Sequence, residues 1–139
     1  MSIDIEPEDS PFEAAMEAGW IDPVDVSKAM LDVMNERDRQ WNEEHFDPTH
    51  DDRHVHGELV KAAVSYGARA AVTAELIAMG MPADVVEDKA QAAGVPGTWP
   101  WERTWWKPKG ARRDLVRAAA LLIAEIERLD RAETKAVQP

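Results

Sequence analysis

Between residues 110 and 132 the chain carries its strictest pattern: Leu115, Ala119, Leu122, Ile126 and Leu129 recur at steps of four and three. At 3.6 residues per turn these positions share one face, so the segment predicts an amphipathic helix rather than a strand, whose apolar residues would alternate. A stripe of this length calls for a partner, either another helix of the same domain or a second copy of the chain. On either side of it, Arg117, Glu125, Glu127 and Arg128 supply charges of both signs suited to pairing across an antiparallel two-fold contact.

The rest of the sequence is punctuated for helices. Ser10-Pro11-Phe12-Glu13 is a start signal, with Ser10 as N-cap, Pro11 in the first turn and Glu13 able to close a capping box, and Gly19 stops that short helix. Asp22-Pro23 repeats the signal, and Val26, Met30, Val33, Met34 and Trp41 then keep a near-helical period to about His45, before Asp47-Pro48. A third helix is expected to begin within residues 49–52 and to run through Leu59, Ala63, Tyr66, Ala70 and Ile77 to Gly80, its many Ala residues implying close approach to a neighbour. Pro82 opens a short fourth helix that Gly94 closes. Pro96, Gly97, Pro100 and Pro108 make regular structure improbable over residues 94–109, yet four of the six Trp residues fall there.

No internal repeat and no strand-like alternation is present. The expected fold is therefore all-α: a small helical bundle of three longer helices and one or two short ones, with the Trp/Pro-rich loop packed across it. Residues 1–22 read as an acidic N-terminal segment with a short helix, 23–132 as a single helical domain and 133–139 as a C-terminal tail. A length of 139 residues suits one core.

Composition narrows the chemistry. With no Cys, disulfides, thiolate metal sites and cysteine nucleophiles are excluded, and any metal must be held by His, Asp and Glu. The net charge of −11 argues against general duplex DNA binding. That acidity is local: residues 1–52 hold 16 acidic and three basic side chains, and residues 53–139 hold 11 and 13. An acidic face of this kind is usually solvated; it also suits imitation of nucleic-acid charge toward a basic groove. MSIDIEPEDS lacks a basic region followed by an apolar run, and no stretch approaches about 18 apolar residues, so neither a recognisable export signal nor a membrane span is expected.

Two constellations carry candidate chemistry. His50, His54 and Glu58 are spaced by four, with Asp51 and Asp52 beside them, so that on one helix His50, Asp51, His54 and Glu58 form a candidate divalent-metal set. The alternative is that Asp51 or Asp52 caps a helix while the His side chains are solvated. Glu36, Arg37 and Gln40 on the preceding helix would meet this segment if the two pack as an antiparallel pair. Further on, Trp99, Trp101, Trp105 and Trp106 interleave with Arg103, Lys107, Lys109, Arg112 and Arg113. Aromatic faces stack on bases and cations bind phosphate, which makes this the candidate binding segment; the structural alternative is a Trp staple over the helices. No G-x-S-x-G and no Gly-rich phosphate loop occurs.

Taken together, HDDRHVHGEL at 50–59, WPWERTWWKPK at 99–109 and RRDLVRAAALLIAEIERLDR at 112–131, with ERDRQ at 36–40, resemble a family of small proteins encoded by bacteriophages and prophages. The resemblance implies a phage accessory protein in a bacterial cytoplasm and transfers no active site. A fainter similarity is to the all-α nucleoside triphosphate pyrophosphatases of the MazG type, but Ala111 and Lys61 stand where an E-x-x-D and an E-x-x-E pair would need carboxylates. The functional expectation is a non-catalytic accessory protein that binds a host or phage macromolecule, as an inhibitor of a host defence system. The alternatives are a metal-dependent nucleotide hydrolase and a nucleotide-binding module, and a homodimer is expected from the last helix.

Overall fold

The computed structural model describes residues 11–137, and all regular structure among them is helical. Six α-helices follow in order: α1 Pro11–Glu17, α2 Lys28–Asn42, α3 Pro48–Asp51, α4 Glu58–Ala78, α5 Ala83–Ala92 and α6 Ala111–Val137, with short 3₁₀ turns at Pro23–Asp25 and Arg103–Trp105. The bundle is all-α, as expected, with α2, α4 and α6 as its long members. No helix among the described residues is long and apolar enough to cross a membrane.

Helix ends depart from the sequence reading for local reasons. Asp22 caps only the 3₁₀ turn, accepting from Val24 N–H at 3.0 Å, and Ser27 starts α2 by accepting from Met30 N–H at 3.1 Å. The Ser10 cap proposed for α1 lies outside the described residues. The expected third helix is broken in two. Asp47 caps a single turn, α3, by accepting from His50 N–H at 3.0 Å, and α4 begins only after Gly57, which has φ +80°. Glycine reaches this left-handed conformation without the Cβ clash that penalises other residues. At the other end, residues 133–137 continue α6 instead of forming a tail. Ala132, Glu133, Lys135 and Ala136 all favour helix, and no Gly or Pro stops them before Pro139.

The centre of the fold is the antiparallel pair α4 and α6. Its direction follows from two contacts: Arg117, early in α6, donates to Tyr66 Oη, while Arg131, late in α6, pairs at 2.9 Å with Asp52, which precedes α4. Ala62, Ala63, Ala118 and Ala124 are buried between them with Leu59, Tyr66 and Leu121. Alanine lets helix axes come close but buries little area. The missing volume comes from Phe46, Trp99, Trp101 and Trp106, which pack against this cluster. At about 150–250 Å² per aromatic ring and ~25 cal/mol per Å², each fully buried ring is worth several kcal/mol. The irregular loop therefore completes the core.

The apolar stripe of α6 does not enter the core. Leu115, Ile126 and Leu129 each keep more than half of their surface exposed, and Leu122 keeps 43%. The buried face is instead Asp114, Val116, Ala118, Ala120, Leu121, Ala124 and Glu125. Small side chains on that face permit the close packing against α4 that a row of Leu would prevent. On α2 the buried residues are likewise Glu36, Arg37 and Gln40, while Met30 is exposed.

Candidate functional site

The inward face of α2 is a charged network. Arg37, itself buried, donates to the Phe46 carbonyl at 2.8 Å, to Asp51 Oδ2 at 3.2 Å and to Glu127 Oε1 at 3.2 Å, and its guanidinium lies 5.1 Å from the Trp41 ring centroid. One side chain thus ties α2 to α3 and α6. The expected meeting of residues 36–40 with the HDDRH segment occurs through Arg37. Glu36 turns elsewhere: it accepts from Arg39 at 2.7 and 2.8 Å and from Arg113 at 2.7 Å. Burial works to raise the Glu36 carboxyl, but the hydrogen bonds from Arg39 and Arg113 outweigh it and hold the group below the ordinary Glu range.

Arg37 also fixes the histidines. Asp51 is fully buried, and its second oxygen lies 2.8 Å from His50 Nδ1. His54 sits in the break before α4, where its Nδ1 lies 2.9 Å from Glu58 Oε2. Glu58 Oε1 accepts from His56 N–H at 2.6 Å. Burial would raise the Glu58 carboxyl, and the hydrogen bonds from His54 and His56 override it, keeping the group ionised below its usual range. Although His50 and His54 do not share a continuous helix, their Nε2 atoms come within 3.2 Å of each other. Phe46 stacks on His50 with centroids 4.1 Å apart, and the edge of Trp101 meets His54 at 5.6 Å. Of the four residues expected as one ligand set, two converge and two stand behind them; among the described residues no group of three or more His, Asp or Glu is gathered for a metal ion.

Both histidines open onto a cleft of about 1040 Å³ between the end of α2, the α4–α6 pair and the Trp loop. Its aromatic wall is continuous: Phe46 contacts Trp101 at 5.9 Å, Trp101 contacts Trp99 at 5.4 Å, and Trp99 contacts Tyr66 at 5.5 Å. Trp106 sits behind Trp99 and Tyr66, at 5.0 and 4.9 Å. Trp105 also lines the cleft but is 66% exposed. Arg103 and Lys107 stand at the lining with no salt-bridge partner among the described residues, Lys107 lying 5.9 Å from the Trp105 ring centroid. Arg117 lines it too, donating at 2.6 Å to the Lys107 carbonyl.

The remaining loop cations are elsewhere. Arg112 pairs with Asp32 at 2.8 Å and Arg113 with Glu36, lining a second recess of about 460 Å³, and Lys109 is exposed. Three buried polar groups, Gln40, Asp114 and Glu125, each hold one side-chain oxygen without a hydrogen-bond partner among the described residues. Gln40 is the one on the cleft wall. Burial raises the Asp114 carboxyl, against the hydrogen bond it accepts from Lys109 N–H at 2.9 Å. No family model, curated protein or solved structure matches this chain.

Proposed function

We propose that the cleft binds a nucleotide, with the base against the aromatic wall and the phosphates toward Arg103 and Lys107. The observation that carries this reading is the joining of an unbroken wall of aromatic rings to two cations that have no carboxylate partner among the described residues, in one cleft. Base–aromatic stacking contributes about 1–3 kcal/mol per base, and a charge-assisted hydrogen bond from Arg or Lys to phosphate is stronger than a neutral one. The test is calorimetry and Trp fluorescence with nucleoside mono-, di- and triphosphates. Saturable binding that falls at least ~10-fold in an Arg103→Ala/Lys107→Ala variant supports the reading. No binding of any nucleotide at millimolar concentration refutes it.

A second reading, action on a host macromolecule in a phage or prophage setting, draws on the resemblance of the Trp-rich block and on Trp105, the one loop Trp that is largely exposed. The cleft reading is preferred because Trp99 and Trp101, packed against the core on one side, line the cleft with the rest of their surface.

We further propose that the exposed stripe of α6 pairs with its copy in a second chain. Leu115, Ala119, Leu122, Ile126 and Leu129 span about 80° of helix arc. An antiparallel two-fold centred on Leu122 sets Leu115 opposite Leu129 and brings Ala119 within one residue of the level of Ile126, and Arg112 within one residue of that of Glu133. The flanking charges suggested by sequence are engaged within the chain: Arg117 with Tyr66 and Lys107, Glu125 with Arg128, and Glu127 with Arg37.

A further inference from the structure

The two histidines on the cleft wall form an arrangement that needs a positive charge between them. Each Nδ1 faces a carboxylate oxygen, His50 toward Asp51 at 2.8 Å and His54 toward Glu58 at 2.9 Å. A carboxylate only accepts, so each ring donates from Nδ1. In the neutral rings the lone pairs of both Nε2 atoms then oppose each other across 3.2 Å. Lone pairs at that distance repel unless a cation joins them, and the two candidates are a shared proton and a metal ion.

We infer that His50 and His54 bind a borderline divalent transition-metal ion such as Zn²⁺ or Ni²⁺ through their Nε2 atoms. With metal–nitrogen bonds of about 2.0–2.1 Å, a nitrogen separation near 3.2 Å corresponds to an N–metal–N angle of roughly 103°, close to tetrahedral. The carboxylates behind the rings are the usual outer partners of metal-bound imidazole: they fix the tautomer and raise the basicity of the coordinating nitrogen. Both carboxylates are anchored, Asp51 by buried Arg37 and Glu58 by the His56 N–H. The rings are partly exposed to the cleft, which gives the ion an entry path and leaves its remaining positions to water or to a ligand in the cleft. Two imidazole nitrogens select for Zn²⁺, Ni²⁺ and Cu²⁺ and against Mg²⁺, which prefers oxygen. This corrects the four-residue ligand set: Asp51 and Glu58 position the ligands and do not coordinate.

The inference concerns the metal alone, so it is tested without any nucleotide. Metal-free protein is titrated with Zn²⁺, Ni²⁺ and Mg²⁺ by calorimetry at pH 7.5, with helix content followed by circular dichroism. The expected result is one Zn²⁺ or Ni²⁺ per chain and no Mg²⁺. Affinity should fall at least 100-fold in His50→Gln and in His54→Gln, about 10- to 100-fold in Glu58→Gln, and not at all in His56→Gln. Two results overturn it: no binding of Zn²⁺ or Ni²⁺ by the folded wild-type protein, which leaves a shared proton as the bridging charge, or binding that survives the double His50→Gln/His54→Gln substitution. Uptake of Mg²⁺ at the pair overturns the assignment of metal class.

Discussion

Replacing Arg37 by Met tests whether the charged contact beneath α2 holds the histidine segment in place. The guanidinium is 3% exposed and Asp51 is 0% exposed, so water cannot substitute for either when its partner is removed. Methionine keeps most of the aliphatic volume but deletes donors to the Phe46 carbonyl, Asp51 and Glu127. Asp51 is left as a buried carboxylate with His50 as its one remaining polar side-chain partner among the described residues. Removing one member of a buried pair costs about 3–5 kcal/mol, most of it the desolvation of the charge left behind. Against a typical stability of about 5–15 kcal/mol this is a large fraction. The assay is urea unfolding at pH 7, read by Trp fluorescence and far-UV circular dichroism with the m-value checked for constancy. The double variant Arg37→Met/Asp51→Asn removes both charges, so the cycle should show a coupling of about 1–3 kcal/mol. A loss under about 1 kcal/mol for Arg37→Met, or strict additivity in the cycle, would refute the reasoning.

Other substitutions probe separate parts of the fold. Trp99→Ala should cost about 3 kcal/mol in unfolding experiments because its ring bridges Tyr66, Trp101 and Trp106, whereas exposed Trp105→Ala should cost under about 0.5 kcal/mol; equal losses contradict the packing of the loop. Leu122→Glu should leave unfolding curves nearly unchanged and convert a dimer to monomer in sedimentation at micromolar concentration; a wild-type protein that sediments as a monomer removes the basis for the α6 contact. Burial raises the Asp114 carboxyl above its ordinary value of 3.8. Between that value and the raised one the folded chain holds a proton that the unfolded chain has lost, so this group's stability contribution is present at low pH and declines as pH rises. Asp114→Asn should therefore match the wild type at low pH and be the more stable of the two at pH 7; a destabilisation at pH 7 contradicts this account.

The all-α class, the positions of the long helices and the packing of the Trp loop were legible in the sequence because they rest on local rules. Apolar residues at steps of three and four, Pro and Ser at helix starts and Gly at stops act within a few residues. The same rules erred where two local signals compete: Asp22 and Ser27 both cap, and Gly57 breaks a helix that the apolar pattern alone would have continued. Which face of a helix turns inward is a different matter. The face of α6 richest in Leu is exposed because α4 presents Ala62, Ala63 and Ala70, and the close approach they allow is met by Ala118 and Ala124. On α2, charge complementarity with Asp51, Arg113 and Glu127, residues 14 to 90 positions away, draws Glu36 and Arg37 inside. The spacing of His50 and His54 marked them as a pair. That their Nε2 atoms face each other, with a carboxylate behind each ring, depends on Arg37 holding α3 and on the turn at Gly57, and only the tertiary structure decides both.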